Sequence, residues 1–513
     1  MAKYLYGASV NGIQSFIFET NKLKEIIGGS ELVEQICTTL FEKQLGKSLE
    51  GDSNVFQMAA GAIKYLFESE EECRKFVKEF PLVVRNHALG VSLTQAVVEV
   101  KESLTEDHFY DLEKKLQQAR NKAVVQATPA SMLMDRSRKT GQAGVEYVKN
   151  EVVGEAASQK RKVTEGRYDK EGKGAKHRLY TKIFGEEVVD AQFHELKDLE
   201  LKHLTSNERT GWIAVIHADG NGLGQLIMSL QEKEIKGSAF SRVMREFSQG
   251  LDKATEEAAL HVVRSMELTP KDIVPVILGG DDLTVIIRAA KAFEFAELFS
   301  KKFEEMTRKY MGAIENEQAK ELLKEGLTIC TGISYIKYNY PIHYGVNLAE
   351  ALCKKAKKES KGIVKGSQQL PPSSIMFHRV QASFVEDFTT LVRDELTSQY
   401  FISIDENGNE KSHPFVGGPY FLEEQDGWHT VFELNKSLKN LRTKNAPSSP
   451  LRQWIGELYV NKTVAAQHLN RIKSVHSKAV EPLNLNVPES NPDAFSQMVG
   501  RIHDALTLNA VSK

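Results

Sequence analysis

The chain has 513 residues and a formal net charge of -2. Its length allows roughly three or four domains. No general excess of positive charge points to nucleic-acid wrapping, although local basic patches are possible. Its cysteines (Cys37, Cys73, Cys330, Cys353) are scattered without a Cys-x-x-Cys pair, so we expect neither zinc nor a disulfide framework. A signal-peptide core and a bilayer-long apolar run are both missing, which predicts a cytoplasmic globular protein with no membrane contact.

Residues 1–130 predict a first palm, that is, an antiparallel sheet with helices on one face. Asn11-Gly12-Ile13 follows a strand and opens a helix. Ala59–Ala62 is the turn of a hairpin, and Gly90-Val91-Ser92 begins a later strand. Between them, Gly28-Gly29-Ser30 is interpreted either as a helix break or as a contact to the acceptor side of a nucleotide site.

Residues 131–205 predict a charged insert between two palms. Lys160-Arg161-Lys162 and the segment Arg167–Arg178 are rich in charge, and the longer segment also contains glycine. They show little periodicity, which favours a mobile, solvated loop. The alternative is a basic strap over a nucleotide or an RNA product.

Residues 206–380 predict a second palm whose first strand ends in an acid. Trp212–His217 is a short apolar run, and Ala218-Asp219-Gly220-Asn221 follows it. A helical pattern starts near Leu223. Asp219 is therefore expected at the end of a strand, just before a helix.

A hairpin at residues 273–288 is the strongest signal in the chain. Two apolar strands flank Gly279-Gly280-Asp281-Asp282. The glycines permit a tight turn and a close approach of a ligand to the backbone. Since Gly and Asp favour turns in any case, a solvated turn without function is the plain alternative.

A further carboxylate from a neighbouring strand makes this hairpin a candidate metal site. If the Asp219 strand lies beside the hairpin, Asp219, Asp281 and Asp282 converge. Two cations about 3.5–4 Å apart, Mg²⁺ or Mn²⁺, can then bind an attacking oxygen and a transferring phosphate. We expect the three aspartates, helped by the backbone carbonyl of Gly220, to be the metal ligands. The expected nucleotide-binding residues of this region are Gly220, Asn221, Gly279 and Gly280.

Lysines downstream of the hairpin are candidates for the triphosphate tail. Gly332–Lys337 predicts a strand that ends in Lys337. Leu348–Lys361 predicts a helix on which Lys357 and Lys361 share one face. Their ammonium groups can neutralise phosphate charge, while a lysine-rich surface helix is the alternative.

The two palms form a faded internal repeat in which only the second keeps the acids. Residues 11–13 match 221–223, residues 59–62 match 279–282, and residues 90–92 match 332–334. Both halves read strand, helix, hairpin, helix, strand, which is the order of a ferredoxin-like palm. Ser9 stands where Asp219 would be, and Gly61 and Ala62 replace the paired acids. The first palm is therefore not expected to form the metal site.

Residues 381–513 predict a mostly helical C-terminal domain with breaks at Gly417-Gly418-Pro419 and at residues 447–450. His503-Asp504 lacks the further ligands of an HD phosphohydrolase and is interpreted as a helix-surface pair. The expected fold class of the whole chain is α+β, with two ferredoxin-like palm domains and a helical C-terminal domain.

Together these motifs resemble the large polymerase-cyclase subunit of type III CRISPR systems, the Csm and Cmr large-subunit family. The resemblance spans most of residues 1–380 and rests on the acid hairpin, on Ala218–Gly224 and on the strand–helix unit with Lys337, Pro341 and Lys357. Residues 12–18 and 28–32 resemble the first palm of that family. The resemblance implies synthesis of cyclic oligonucleotides from ATP as an alarm signal during phage infection. The hairpin and the Ala356-Lys357 helix also resemble diguanylate cyclases, more distantly.

Three departures from the family pattern matter. Members often have Asp-x-Asp where this chain has Asp219-Gly220-Asn221, so the second acid is replaced. The predicted palm strand starts at Tyr4, so an N-terminal HD nuclease is not expected. The cysteine pairs often found between the palms are also missing. A compact, stand-alone relative fits these differences better than a full effector subunit.

We therefore expect a nucleotidyl cyclase that uses ATP or other NTPs, with RNA or CRISPR complex subunits as candidate activators, acting as a monomer or a homodimer. Product ring size, base choice and the trigger stay open, and a dinucleotide cyclase that needs no RNA is one variant. The alternative from another class is a catalytically silent scaffold whose palms bind RNA or partner subunits. Clustered carboxylates argue against the scaffold, because their burial without a cation is costly.

Overall fold

A computed structural model provides the coordinates. It describes residues 2–512 except 50, 60, 102–103, 123–133, 139, 149, 166–173, 197–198, 206–210, 224–225, 227–229, 231–234, 236, 365–369, 382–387 and 405–407.

The first palm is a four-stranded antiparallel sheet. Its strands are β1 (Lys3–Asn11), β2 (Val55–Ala59), β3 (Ala62–Phe67) and β4 (Ser92–Val100), in the spatial order β2-β3-β1-β4. Its helices are α1 (Ile13–Ile17), α2 (Leu23–Cys37), α3 (Thr39–Leu45), α4 (Glu70–His87) and α5 (Glu106–Arg120). This strand order is that of a ferredoxin-like fold and confirms the predicted palm.

The inter-palm region is more ordered than predicted. It contains the ribbon β5 (Gly144–Val148) and β6 (Glu151–Gly154) and the helices α6 (Glu155–Thr164), α7 (Gly174–Phe184) and α8 (Glu186–Leu196). Lys160 of α6 is buried, with its ammonium group on the backbone carbonyl of Phe16. The expectation of a solvated loop is therefore wrong for the described part, because these cations pack on the first palm. Residues 166–173 of the predicted basic segment lie outside the described residues.

The second palm repeats the first and extends it. Its strands are β7 (Trp212–Gly220), β8 (Ile273–Gly279), β9 (Asp282–Arg288), β10 (Ile329–Lys337) and β11 (Ser374–Arg379). The order β8-β9-β7-β10 reproduces the order of the first sheet, and β11 adds to β10 in parallel. Its helices are α9 (Gly237–Ser265), α10 (Ala289–Met311), α11 (Glu317–Leu323) and α12 (Ile342–Ile363).

Helices cover both faces of the second sheet, whereas the sequence predicted helices on one face only. Ser300 of α10 lies 3.4 Å from Thr331 of β10. The next residue, Gly332, points to the opposite face, where an added Cβ would meet the carbonyl oxygen of Ala349 in α12 at 1.9 Å. Side chains alternate between the faces of a strand, so α10 and α12 lie on opposite sides. Helix α12 lies in the connection from β10 to the parallel strand β11, and α5 covers the corresponding face of the first sheet, where Leu112 lies over Gly7.

The C-terminal part of the chain is mainly helical, as predicted. It contains α13 (Phe388–Glu395), α14 (Val431–Leu441), α15 (Ser448–Glu457), α16 (Lys462–Val475), α17 (Ser477–Val480) and α18 (Pro492–Val511), with the short strands β12 (Ile402–Ile404), β13 (Glu410–Ser412) and β14 (Tyr420–Phe421). Strand β14 joins the second sheet through β11. Asp504 of α18 accepts a hydrogen bond from Tyr420, which gives the His503-Asp504 pair a structural contact. The exact domain boundaries at 130, 205 and 380 stay predictions.

Candidate functional site

Strand register brings the predicted acids together at one end of the second sheet, at the ends of strands β7 and β9. Strand β7 runs antiparallel to β9, and Asp219 lies directly opposite Asp282. Gly279 also pairs with Asp282, so Gly280 and Asp281 form the turn between β8 and β9. Gly280 has φ 61°, which favours glycine. The three aspartates therefore lie together, as the sequence predicted.

Gly220 allows Asp281 to approach the end of β7. A Cβ added to Gly220 would lie 2.8 Å from the Cβ of Asp281, so a side chain at this position would force the turn to shift. The Gly220 N–H also donates to the Asp281 carbonyl at 3.2 Å. Glycine at 220 is thus required for the meeting of strand and turn. A metal contact through the carbonyl of Gly220 stays a prediction.

A histidine that the sequence interpretation missed belongs to the same cluster. Because side chains alternate along a strand, His217 faces the same side of the sheet as Asp219. Ligand atoms of His217, Asp219 and Asp282 lie within 4.8 Å of one another, and this is the one group with metal-ligand spacing in the described part of the chain. Burial, together with Lys357 and Lys354, lowers the pKa of His217 to about 4, so the imidazole is neutral at pH 7.

Burial and mutual repulsion raise the pKa of two of the carboxyl groups. The pKa of Asp282 is raised to about 8, first by burial and then by the charges of Asp281 and Asp219. The pKa of Asp281 is raised to about 6 by burial and by Asp219. Clustered, desolvated carboxylates of this kind fit a divalent cation, which removes the repulsion that protonation otherwise relieves.

Lys357 of α12 lies beside the aspartates, while its predicted contact with a triphosphate stays a prediction. Its Nζ lies 2.5 Å from Oδ2 of Asp219. Helix α12 comes this close because Gly332 of β10 has no side chain to separate the strand from Ala349. Lys361 lies one helical turn further along and is exposed, so its contact with a triphosphate stays a prediction.

Side chains of helix α9 bind both the backbone N–H and the backbone carbonyl of Gly280 in the acid turn. Asp252 accepts a hydrogen bond from the Gly280 N–H at 2.5 Å, and Thr255 donates to the Gly280 carbonyl at 2.5 Å. Burial raises the pKa of Asp252 to about 6. No sequence signal marks this support, because Asp252 lies 28 residues upstream of Gly280 and meets the turn only through tertiary packing.

Lys337 lies at the other end of the sheet from the aspartates. Strand β10 is antiparallel to β7, so Cys330 pairs with Asp219 while Lys337 pairs with Trp212. The ammonium group sits 3.9 Å from the centre of the Trp212 ring. Seven residues of extended strand span about 23 Å, so the expectation that Lys337 holds the triphosphate tail is corrected.

Asn221 points into the protein rather than toward the aspartates' cleft. It is 1% exposed, and its Nδ2 lies 3.2 Å both from Oγ1 of Thr328 and from Sγ of Cys330. Its backbone N–H donates to the Thr328 carbonyl. These contacts fix the end of β7 against β10, which corrects the expectation of a nucleotide contact.

Of the first-palm segment 28–30, one residue faces the second palm. A Cβ on Gly28 would lie 1.9 Å from the carbonyl oxygen of Lys160, so Gly28 allows α2 and α6 to cross closely. Gly29 packs on Ile17. Ser30 donates a hydrogen bond to the carbonyl of Val276 in β8. The helix α2 continues unbroken through all three residues.

A cavity of about 880 Å³ lies between the palms and reaches the acid turn. Gly279 and Asp282 line it from the second palm, and Ser30 and Gly61 line it from the first. Polar and charged groups of α2, α3, α4 and α7 complete the wall: Glu31, Glu34, Gln35, Lys43, His87, Arg178 and Lys182. Arg178 pairs with Glu31 at 2.6 Å, so helix α7 is fixed to α2 along this wall. The volume is sufficient for nucleotide-sized ligands.

Comparisons with known proteins agree with this architecture. Residues 212–364 match the family described as Cas10/Cmr2, second palm domain. A Csm1-Csm4 cassette solved with cA4 matches with a TM-score of 0.55 and 13% identity, over 99% of this chain and 70% of the other. Cassettes solved with AMPPNP and with one ATP match with TM-scores of 0.54 and 0.52, each at 14% identity, over 99% of this chain and 69% and 70% of theirs.

At such low identity these structures establish a shared fold and no more. No curated protein matches the chain in sequence. Within the described residues, no helix has the length and apolar character that crossing a membrane requires. The family match covers residues 212–364, the domain that carries the three aspartates, and this domain is similar to the second palm of the type III CRISPR large subunits.

Proposed function

We propose that the chain is a metal-dependent nucleotidyl cyclase that joins NTPs, with ATP as the first candidate, into cyclic oligonucleotides and releases pyrophosphate, as a signal in antiviral defence. The observation that carries this proposal is the convergence of Asp219, Asp281 and Asp282, of which Asp282 lines the inter-palm cavity. The similarity of residues 212–364 to the second palm of Cas10/Cmr2 supports the cyclase class. The binding of ATP, AMPPNP and cA4 by structurally similar Csm1-Csm4 cassettes supports adenine nucleotides.

The residues present fit two divalent cations, Mg²⁺ or Mn²⁺. Asp219, Asp281 and Asp282 would hold them, helped by the Gly220 carbonyl. Bound cations of this kind acidify a ribose hydroxyl and neutralise the charge of departing pyrophosphate. Through Asp282 this cluster adjoins a cavity whose walls come from both palms.

Lys357 is placed to hold the triphosphate. In the structure its ammonium group neutralises Asp219. When cations take over that carboxylate, the same ammonium group lies within reach of phosphate oxygens at the site, since a lysine side chain is flexible. Lys361 extends this positive surface by one helical turn.

The first palm supplies the wall opposite the acids, where a second nucleotide has to lie for a phosphodiester bond to form. Ser30, Gly61 and the charged groups of α2 and α7 line this side. The Arg178–Glu31 pair joins α7 to α2 along this wall. A wall built from packed helices can orient two bound substrates. A partner subunit as activator, in line with the Csm1-Csm4 pairing of the cassettes, is part of this proposal, and RNA is a second candidate activator.

The test is product formation that depends on the acids. The protein is incubated with ATP and with Mn²⁺ or Mg²⁺, alone and with CRISPR subunits and target RNA, and products are identified by mass spectrometry. We expect cyclic oligoadenylates from the wild type and none from the Asp281→Ala/Asp282→Ala variant. The proposal fails if no NTP or NTP pair gives an acid-dependent product under any of these conditions while the protein remains folded.

A further inference from the structure

The histidine beside the aspartates has a position that the carboxylate chemistry alone does not explain. His217 is 8% exposed and lies two residues before Asp219 on the same face of β7. One of its ring nitrogens lies within 4.8 Å of carboxylate oxygens of both Asp219 and Asp282. An imidazole so close to two carboxylates can share a cation with them.

The hydrogen bonding of His217 leaves one ring nitrogen for a ligand. Its Nδ1 lies 3.0 Å from Oγ1 of Thr284, which is fully buried and directly opposite on β9. This is the one hydrogen bond of the imidazole that the described residues provide. Histidines that bind metals usually fix one nitrogen on such a second group and offer the other nitrogen to the ion.

The first palm shows that the fold itself does not need this imidazole. Ser9 occupies the register position of Asp219, so Gly7 occupies that of His217 and Lys64 that of Thr284. Leu112 of α5 fills the space above Gly7, where an added Cβ would lie 2.8 Å from its Cδ2. The first sheet thus packs an apolar side chain over the position where the second sheet carries His217.

We propose that His217 is a third protein ligand, through Nε2, of the cation held by Asp219 and Asp282, and that the site therefore selects a divalent transition-metal ion such as Mn²⁺ over Mg²⁺. Mg²⁺ takes oxygen ligands, whereas imidazole nitrogen favours transition metals. Thr284 acts as a positioning residue that sets the ring orientation. This inference rests on the metal site of the proposed function and names its cation.

Direct metal binding tests the assignment without any turnover. Mn²⁺ and Mg²⁺ affinities are measured by calorimetry for the wild type, His217→Asn, Thr284→Val and His378→Asn. His378 is the matched control, a buried histidine of β11, two strands away from β7. We expect Mn²⁺ affinity to fall roughly 10–100-fold in His217→Asn and about tenfold in Thr284→Val. Mg²⁺ affinity in both variants, and both affinities in His378→Asn, are expected to stay within about twofold.

Pulsed electron paramagnetic resonance gives a second readout. In wild-type protein loaded with Mn²⁺, a coupling to a histidine nitrogen is expected, changing character when histidine is labelled with ¹⁵N. The coupling disappears in His217→Asn and persists in His378→Asn. Unchanged Mn²⁺ affinity in folded His217→Asn, or wild-type Mn²⁺ without nitrogen coupling, overturns the assignment.

The failure of this inference differs from the failure of the proposed function. If Mn²⁺ binds through the aspartates alone and ATP is still converted, the histidine assignment is wrong and the cyclase proposal stands. If Mn²⁺ couples to His217 but no NTP gives a product, the histidine assignment stands and the cyclase proposal is wrong. If wild-type protein binds neither Mn²⁺ nor Mg²⁺, both fail.

Discussion

The two palms share one scaffold in detail and differ at the few positions that carry chemistry. In the first palm Ser9 pairs with Ala62, and in the second Asp219 pairs with Asp282. The glycine after each first strand has a left-handed backbone, φ 63° at Gly12 and 80° at Gly222. Each glycine carbonyl accepts a hydrogen bond from the residue four positions later.

Two further contacts are common to both palms and therefore belong to the scaffold. Asn11 donates to Thr94, just as Asn221 contacts Cys330, the strand residue at the equivalent register. Arg120 of α5 donates to Ser9 at 2.8 Å, just as Lys357 of α12 contacts Asp219. Both palms thus have a cationic side chain from a packed helix at the end of their first strand, although only the second palm has the acids.

The difference between the palms teaches that the acids are not a requirement of the fold. The first palm closes its sheet and its hairpin with Ser9, Gly61 and Ala62. The second palm accepts three partly desolvated carboxylates at the same positions, two with raised pKa values. Such a cost is expected where a site serves a ligand rather than stability.

The largest loss of activity is expected at Asp219, and Ser9, at the same register of the first palm, is its control. Asp219→Ala removes a central metal ligand and should lower the rate of pyrophosphate release roughly 10³-fold or more. Ser9→Ala, at the same register in the first palm, should change the rate less than about twofold. Initial rates with ATP measure both. Equal losses in the two variants would contradict a division of labour between the palms.

This division could be predicted from the sequence because it rests on local patterns. Short apolar runs identified β7, β8 and β9, and the glycines located the turn, so the meeting of Asp219 and Asp282 followed from antiparallel pairing. His217 could have been found by the same period of two from Asp219. The hydrophobic pattern of the run at Trp212–His217 concealed it.

Other features depend on tertiary packing or exact register and were beyond the sequence. Gly90 was aligned with Gly332, but the pairing of Ser9 with Thr94 places Ala96 at the position of Gly332. Gly90 instead lies before β4, with φ 100°. Asp252 reaches the turn from α9, and no pattern along the chain indicates such a contact. The antiparallel pairing of β10 with β7 places Lys337 at the other end of the sheet from the site.

The next largest loss of activity is expected at Lys357, the helix cation whose counterpart in the first palm is Arg120. Lys357→Ala should lower the rate roughly 10–100-fold, with a raised KM for ATP, because the triphosphate loses a charge-assisted contact. The exposed neighbour Lys358 is the matched control, and Lys358→Ala should behave as wild type. Arg120→Ala in the first palm tests whether that contact is only structural. If it is, thermal stability changes and the KM for ATP does not.

Support of the acid turn should have a smaller effect. Asp252→Ala frees the Gly280 N–H and should lower kcat roughly tenfold while KM changes little, because the turn loses its fixed position. Asp252→Asn keeps an accepting oxygen and should recover most of the rate. Glu256→Gln, one helical turn away, is the control. A loss in Asp252→Asn as large as in Asp252→Ala would show that the charge matters and not the hydrogen bond.

The acids should also make the stability of the metal-free protein depend on pH. The folded-state pKa of Asp282 is about 8, well above the ordinary value of about 3.9. The folded protein therefore binds more protons than the unfolded chain between these values, and its stability falls as pH rises. In Asp282→Asn this loss is absent, so its unfolding midpoint in EDTA should exceed that of the wild type by about 2–4 °C at pH 8.5. The gap should narrow toward pH 5, and Mn²⁺ should reduce it at pH 8.5. A gap that is constant across pH would mean that the Asp282 charge is not the cause.

The smallest effect is expected at Lys337, and it tests the geometry most strictly. Lys337 and Lys357 lie 20 positions apart in sequence, and both follow the acid hairpin. Strand β10 carries Lys337 to the Trp212 end of the sheet, while α12 runs back along β10 and returns Lys357 to the Asp219 end. Lys337→Ala should therefore leave the rate and the KM for ATP within about twofold of wild type, against the large loss in Lys357→Ala. A rate loss in Lys337→Ala comparable to that in Lys357→Ala, without loss of folding, would mean that the nucleotide extends along the whole sheet instead of lying at the carboxylate end.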